Sequence, residues 1–321
     1  MEYTAVIRTL GTAGEKYQTL LDALEKQTLQ PSKILVYIAE GYAIPKETIG
    51  KEQYIYVKKG MVAQRALPYD EVDTEEFILF LDDDVYLPNT AVEQLHQYLV
   101  AYNADVISPD VFPNAERSFL GKCMMAISGR MLARRDDGKW GYKVMRTSGY
   151  SYNNNPKSRA YWSQTNAGPC FFCKKTDFLK IHFEEERWMD NLKYAQGDDQ
   201  VMYYKMYLSG LKQLTWFHSG IKHLDAGSSM INEDKEKMLI YSDLHFKTIF
   251  WHRFIYKPDK KIFSKIWSMI CLGYALGFTL LISLLKFNRT IFSLKYQAIK
   301  DAIDFIKSEE YRILPLIKRV I

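Results

Sequence analysis

The sequence predicts an α/β fold: a doubly wound mixed sheet followed by a helical C-terminal region. Three observations lead there. Short apolar runs alternate with helical periodicity over the first hundred residues. One of those runs, FILFL at 77–81, ends directly in Asp82, Asp83 and Asp84. From 232 onward the pattern turns helical and includes an uncharged stretch, 266–285, of the length that spans a bilayer.

The elements follow in order. Residues 3–10 alternate and are rich in β-formers, so they read as a strand. Residues 15–27 place Tyr17, Leu20, Leu21 and Leu24 on one helical face. Segments 33–38 and 53–57 are short apolar runs, predicted as parallel strands, and 61–67 is predicted as a short helix. After the strand at 77–81, Pro88 and Asn89 open a helix to about Tyr102, with Asn89 as its cap. Val106 and Ile107 continue the alternation, completing the succession expected of a doubly wound sheet. Over 109–165 periodicity fades into Gly, Arg, Asn and Tyr, and an irregular stretch this long is usually functional or mobile. Order resumes with a strand at 168–173, a helix at 199–208 stopped by Gly210, and a strand at 214–217. A long helix reaching Tyr256, the apolar run and an amphipathic tail close the sequence. The domain boundary is placed so that 1–231 is the α/β unit and 232–321 a helical region expected to associate with a membrane.

Composition narrows the function classes. The 321 residues carry a net charge of +5, without the dense Lys/Arg tract of a nucleic-acid groove. Four cysteines in a chain this long make no disulfide framework, so a reducing compartment is expected. MEYTAVIRTL has neither a basic leader nor a long apolar core, so no signal peptide is expected. There are no repeats and no low-complexity tract. Three apparent motifs are set aside. GTAGEKY at 11–17 lacks phosphate-loop spacing. The pair Cys170 and Cys173 has no second pair for zinc and reads as strand core. The sequon at Asn288 matters only in a secretory setting.

The Asp triplet is the most informative feature. Ligands of open α/β sheets bind at the carboxyl edge, where this triplet falls. Three adjacent carboxylates repel one another and become tolerable when a hard cation such as Mg²⁺ or Mn²⁺ holds them. Such a cation can neutralise a diphosphate leaving group. The plainer alternative is a solvated acidic turn capping the next helix. A second pair, Asp198 and Asp199, stands between Gly197 and a helix. It suits a general base, since mutual repulsion raises one pKa, and it equally suits an ordinary helix cap. His218 and His223 follow a strand, and either imidazole could complete a metal shell.

FLDDDVYLP resembles the Asp-X-Asp signature of family two inverting glycosyltransferases, which have the GT-A nucleotide-sugar-binding fold. TAVIRTL, ILVYIAEG and KKGMVAQRAL are similar to that family's opening strands and following Gly/Arg segment. GDDQVMYYKMYLSG resembles its acidic catalytic motif, and HLDAGSS lies where many members carry a metal-binding His. Together these matches run from about Tyr3 to Ser229. The resemblance implies that Arg8, Thr9, Glu40 and Arg65 contact the donor's base or phosphate. Ala39-Glu40 replaces the family's usual Asp pair, a departure that leaves the base open. It further implies that Asp82 contacts the donor and the metal, that Asp83 assists, and that Asp84 and His223 bind the metal. Asp199 would be the base and Asp198 its acceptor-binding neighbour.

The function this implies is transfer of a sugar, with inversion, from a nucleotide-sugar donor (a UDP-sugar) to a glycan or polyprenyl-linked acceptor. The setting would be bacterial surface-polysaccharide assembly at the cytoplasmic face of the inner membrane, with Mn²⁺ or Mg²⁺ as cofactor. Segment 109–165, with Trp162 and Trp188, is expected on the acceptor side. Residues 233–256, with Phe246, Ile249, Phe250, Trp251 and Phe254 among basic neighbours, are expected at a lipid headgroup boundary. The alternatives are a sugar nucleotidyltransferase, which would favour a Gly-rich phosphate signature near the first strand, and a non-catalytic membrane scaffold of the same fold.

Overall fold

The computed structural model describes residues 1–74, 76–111, 118–131, 140–153, 160–192, 196–224 and 233–320. The first strands are β1 (Tyr3–Thr9), β2 (Lys33–Ala39), β3 (Glu52–Val57), β4 (Phe77–Asp82), β5 (Val85–Tyr86) and β6 (Val106–Pro109). Those that follow are β7 (Tyr142–Val144), β8 (Ser151–Asn153), β9 (Ala160–Trp162), β10 (Cys170–Lys174), β11 (Gln213–Trp216) and β12 (Lys222–His223). The helices are α1 (Glu15–Glu25), α2 (Ala91–Ala101), α3 (Phe119–Ile127), α4 (Lys175–Leu179) and α5 (Asp198–Leu208), then α6 (Glu233–Phe250), α7 (Ile262–Leu285), α8 (Arg289–Lys307) and α9 (Glu309–Arg312). A 3-10 stretch covers Phe183–Asn191, and α6 runs on into a π-helical segment, Trp251–Tyr256.

Eight strands form one mixed sheet in the order β3-β2-β1-β4-β10-β6-β11-β9. The pairs β3/β2, β2/β1, β1/β4 and β6/β11 are parallel, whereas β10 lies antiparallel to both β4 and β6. The chain steps outward from β1 to β2 and β3, then returns to place β4 on the other side of β1. That reversal makes the β1/β4 boundary a topological switch point, where the carboxyl ends of parallel strands leave a crevice. The apolar runs read from the sequence form the centre: Ala5, Ile7, Leu35, Val36, Ile38, Ile78 and Leu79 are fully or nearly fully buried. Cys170 and Cys173 are buried in β10, as strand core.

One core spans position 231. Phe246, Ile249, Phe250, Trp251, Phe254 and Ile255 belong to the same buried cluster as Val201, Met202, Tyr204 and Phe171. The aromatics expected at a lipid boundary are therefore protein interior. They fill the space beside α5, where Tyr204 meets Phe250 at 5.4 Å. Arg253, one of the basic neighbours of those aromatics, is wholly enclosed and pairs with Glu186. The segment at 61–67 forms an irregular turn rather than a helix, because Asp190 takes the amides of Val62 and Ala63 at 2.9 Å each. Within 109–165, the described residues contain α3, β7, β8 and β9; 112–117, 132–139 and 154–159 lie outside them.

Candidate active site

Arg8 and Asp82 are partners across the β1/β4 register, so the switch point itself brings a cation against a carboxylate. The Arg8 guanidinium grips Asp82 through two nitrogens, its Nη2 to Oδ2 at 3.0 Å. Arg65, 3% exposed, reaches Asp82 Oδ1 at 3.4 Å and Asp199 Oδ1 at 2.6 Å and donates to the Gly168 carbonyl at 2.9 Å. Both guanidiniums lie near Asp198 Oδ2, at 3.5 Å from Arg8 and 3.6 Å from Arg65. The two acidic motifs, more than a hundred residues apart, thus share two arginines. Burial opposes ionisation of Asp82, but Arg8 and then Arg65 outweigh it and hold its pKa below the usual value. Asp198 goes the other way: burial, then the Asp199 charge, raise it against the pull of the arginines.

Gly168 permits this junction. A Cβ there would stand 2.1 Å from Asp199 Oδ1 and 2.7 Å from Arg65 Nη1. Gly197 is equally constrained, with φ of 90° and a Cβ position 2.2 Å from the Phe246 ring. The helix carrying Asp198 and Asp199 is thereby seated directly on α6. Lys247 of α6 donates to Gln200, whose amide donates to the Gly149 carbonyl at 2.7 Å.

Asp83 and Asp84 diverge. Asp83 accepts from the Thr9 hydroxyl, which also receives the Gly11 amide at 2.7 Å. Burial pushes the Asp83 carboxyl up to about 6; the Thr9 hydrogen bond opposes this, and the charges of Asp84 and Asp82 add to it. Asp84 meets His223 Nε2 at 3.1 Å, because β12 pairs with β5 and aligns His223 with Val85. Residues 225–229 of the HLDAGSS motif lie outside the described residues. His218 is exposed.

These groups face a cleft of about 700 Å³ lined by Arg8, Thr9, Asp82, Asp83, Asp84 and His223 among others. Asp198, Asp199 and Arg65 are not part of that lining and join it through the pairs with Arg8 and Asp82. Glu40 is exposed beyond the end of β2 and outside the lining. Trp188 is core: its ring stacks on Phe305 and its N–H donates to Glu186 at 2.7 Å. Trp162 lies on the sheet-edge strand β9, beside Trp140 and Tyr207 in a separate hollow. Sequence reasoning missed Thr12, Lys16, Lys59, Gln64 and Asp190, all in the cleft wall. Thr12 precedes α1 and Lys16 lies in its first turn, both within the GTAGEKY stretch set aside for want of phosphate-loop spacing. Their signal was position alone, directly after the first strand.

Among the described residues no three His, Cys, Asp or Glu side chains gather in a cation-binding group. Asp84 and His223 nevertheless suit two sites on one ion. Asp84 Oδ1 and His223 Nε2 lie 3.1 Å apart as an ion pair, and the same carboxylate and imidazole atoms would be the ones to hold the cation. The remaining positions would fall to diphosphate oxygens and water, the usual arrangement for Mg²⁺ at nucleotide sites. Asp82, expected to contact both the donor and the metal, is held by Arg8 and Arg65.

No protein-family model and no curated protein sequence matches this chain. Among solved structures it is similar to S. aureus TarS 1-349, with a TM-score of 0.45 and 11% identity over 96% of this chain and 93% of that one. The same TarS fragment in complex with UDP-GlcNAc gives 0.42 at 14% identity, and in complex with UDP 0.42 at 12%, over the same shares. At these values the site's own residues carry the functional reading.

Proposed function

We propose that the chain is a GT-A glycosyltransferase that moves a sugar from a nucleotide-sugar donor, a UDP-sugar, to a glycan or polyprenyl-linked acceptor with inversion. The setting is surface-polysaccharide assembly at the cytoplasmic face of the bacterial inner membrane. One observation carries this reading. The cleft at the switch point is lined by Asp82, Asp83, Asp84 and Asp190, and Arg8 and Arg65 tie Asp82 to Asp198 and Asp199 beside it: six carboxylates against Arg8, Arg65, Lys16 and Lys59. Surplus negative charge beside a diphosphate-sized cleft calls for a cation.

Mn²⁺ or Mg²⁺ bound by Asp84 and His223 would supply positive charge to the departing diphosphate. Thr9, Lys16, Lys59 and Gln64 line the wall that would meet the nucleoside and phosphates. Arg8 and Arg65 hold the β1 and β4 ends and the α5 start in one rigid unit. That fixes the distance between donor and base, which inversion by direct displacement requires. Asp199 is the more exposed of its pair, 31% against 11% for the side chains. Arg65 pins one of its oxygens, so Asp199 is the group positioned to take the acceptor hydroxyl's proton.

Calorimetry with UDP and Mn²⁺ tests the donor side. Asp84→Asn is expected to remove most metal-dependent UDP affinity, and chelation to do the same in the parent protein. Unchanged affinity in Asp84→Asn rules the metal assignment out. NMR of the transfer product tests the mechanism, since a retained anomeric configuration overturns inversion.

A further inference from the structure

Helix α7 packs the wrong way round for a helix of a water-soluble domain. A surface helix ordinarily turns its large apolar side chains inward and its small or polar ones to water. In α7 the buried residues are Ser268, Ala275, Thr279 and Ser283, spaced seven and four apart on one face. The outward positions carry Ile262, Phe263, Trp267, Ile270, Tyr274 and Leu285. Phe263 is 85% exposed and Trp267 65%. Small residues toward protein and large apolar ones away is the arrangement of helices that face lipid. Helix α3 adds to this face: none of its residues is buried, and Phe119 and Leu120 are among the most exposed large apolar side chains of the described residues. The two helices adjoin, since a Cβ on Gly129, just past α3, would meet the Ala275 side chain at 3.6 Å.

Charge says what covers this face. No acidic residue occurs between Asp259 and Asp301, whereas Lys260, Lys261 and Lys265 precede the exposed stretch and Lys286, Arg289 and Lys295 follow it. Basic residues at both ends of an apolar face fit anionic headgroups around a shallow apolar insertion. A second copy of the chain would bring the same positive rim against itself.

The helix does not leave the domain. Arg146 holds its entrance through Asp259 at 2.8 Å and Ser264 at 3.1 Å. Lys295 of α8 donates to Ser283 near its exit at 2.8 Å. Helix α8 packs along both α7 and α6, with Ala298 and Ala302 buried and Tyr241 of α6 donating to its Asp301. It also carries Lys300, Asp304 and Lys307. Charged side chains are costly at the bilayer centre, so α8 stays at the surface and keeps α7 beside it.

We infer that the outer faces of α7 and α3 form an in-plane seat on an anionic bilayer, entering one leaflet without crossing. At about 1.5 Å per residue α7 is about 36 Å long, long enough to span, and the contacts on its inner face are what keep it flat. This holds whether or not the cleft transfers sugar.

The test uses the full chain and vesicles of phosphatidylglycerol or phosphatidylcholine in a flotation assay. The expected result is co-flotation with the anionic vesicles, weakened by salt. The combined variant Phe263→Glu, Trp267→Glu and Ile270→Glu should float at least tenfold less. Its melting temperature and UDP affinity should match the parent's, which separates loss of the seat from loss of fold or of the donor site. Single Lys261→Cys and Lys286→Cys variants, each with Cys123→Ser and Cys271→Ser, report topology. A membrane-impermeant maleimide should label both from outside the vesicle. Labelling of only one means a span and overturns the in-plane seat. Flotation unaffected by the triple variant overturns it too, as does a dimer in light scattering that this variant dissociates while the parent ignores vesicles.

Discussion

Two charged clusters in this molecule use the same residue types to opposite ends. In the cleft, Asp82, Asp198 and Asp199 crowd around Arg8 and Arg65, and Asp83 and Asp84 add charge beyond what the arginines balance. Beneath α6, Glu186 accepts from Arg253 through both oxygens, at 2.7 and 2.8 Å, and from Lys205 at 3.0 Å and the Trp188 N–H at 2.7 Å. Glu186 and Arg253 are fully buried, and every strong acceptor is matched to a donor. The sealed cluster is closed on itself, with nothing left to bind. The open one has carboxylates to spare and a cleft beside them. Matched charge in a dry site holds structure, and unmatched charge at a cleft awaits a ligand.

The sharpest break of this comparison is at Asp199. Asp199→Asn keeps the shape and gives up the proton acceptor. It is expected to lower transfer by about 10²–10⁴-fold, with UDP affinity and melting temperature near the parent's. Near-parent transfer would move the proton-accepting role to Asp198. At the sealed cluster the expected effect is on stability instead. Arg253→Ala leaves Glu186 charged, buried and short of its main partner, at a cost of about 3–5 kcal/mol. Chemical denaturation measures it, and a loss below about 1 kcal/mol would show that Lys205 alone suffices. The pH dependence has a definite sign. Burial works to raise the Glu186 pKa, but Arg253 and Lys205 hold it below the usual 4.5. Its contribution is therefore present above the unfolded value and lost as pH falls through the depressed one.

How much of this was legible beforehand follows from what periodicity can see. The apolar run ending in Asp82 announced a strand feeding a site, because burial and charge change at one residue. The register was not legible: nothing in 77–84 says that Arg8 faces Asp82 across β1. The antiparallel insertion of β10 between β4 and β6 was hidden for the same reason, since pairing is decided between segments. Composition alone reads the aromatics of 233–256 as a lipid-boundary face, but what surrounds Phe246, Phe250, Trp251 and Phe254 is protein. In α7 composition pointed to a bilayer, but only the packing shows that the small residues face inward.

The smallest expected effect sits where the open cluster is least balanced. Asp83 lies between Asp82 and Asp84, and its carboxyl is pushed up to about 6, first by burial and then by those neighbours. A carboxyl whose folded pKa exceeds its unfolded one favours the fold while protonated. That contribution is complete below about 4 and lost as pH rises through about 6. Asp83→Asn, which keeps the Thr9 contact without the charge, should therefore raise the melting temperature of the metal-free protein at pH 8 by about 1–3 °C. At pH 4 it should change almost nothing. Mn²⁺ should narrow the gap at pH 8, since a cation relieves the same repulsion in the parent. No such relief is available to the Glu186 cluster, so Mn²⁺ should leave the deficit of Arg253→Ala where it was. If Asp83→Asn lowers the melting temperature at pH 8, the extra strength that the charge gives the Thr9 hydrogen bond outweighs burial and repulsion. The cleft would then be as self-sufficient as the sealed site, and the contrast between them would fail at its most exposed point.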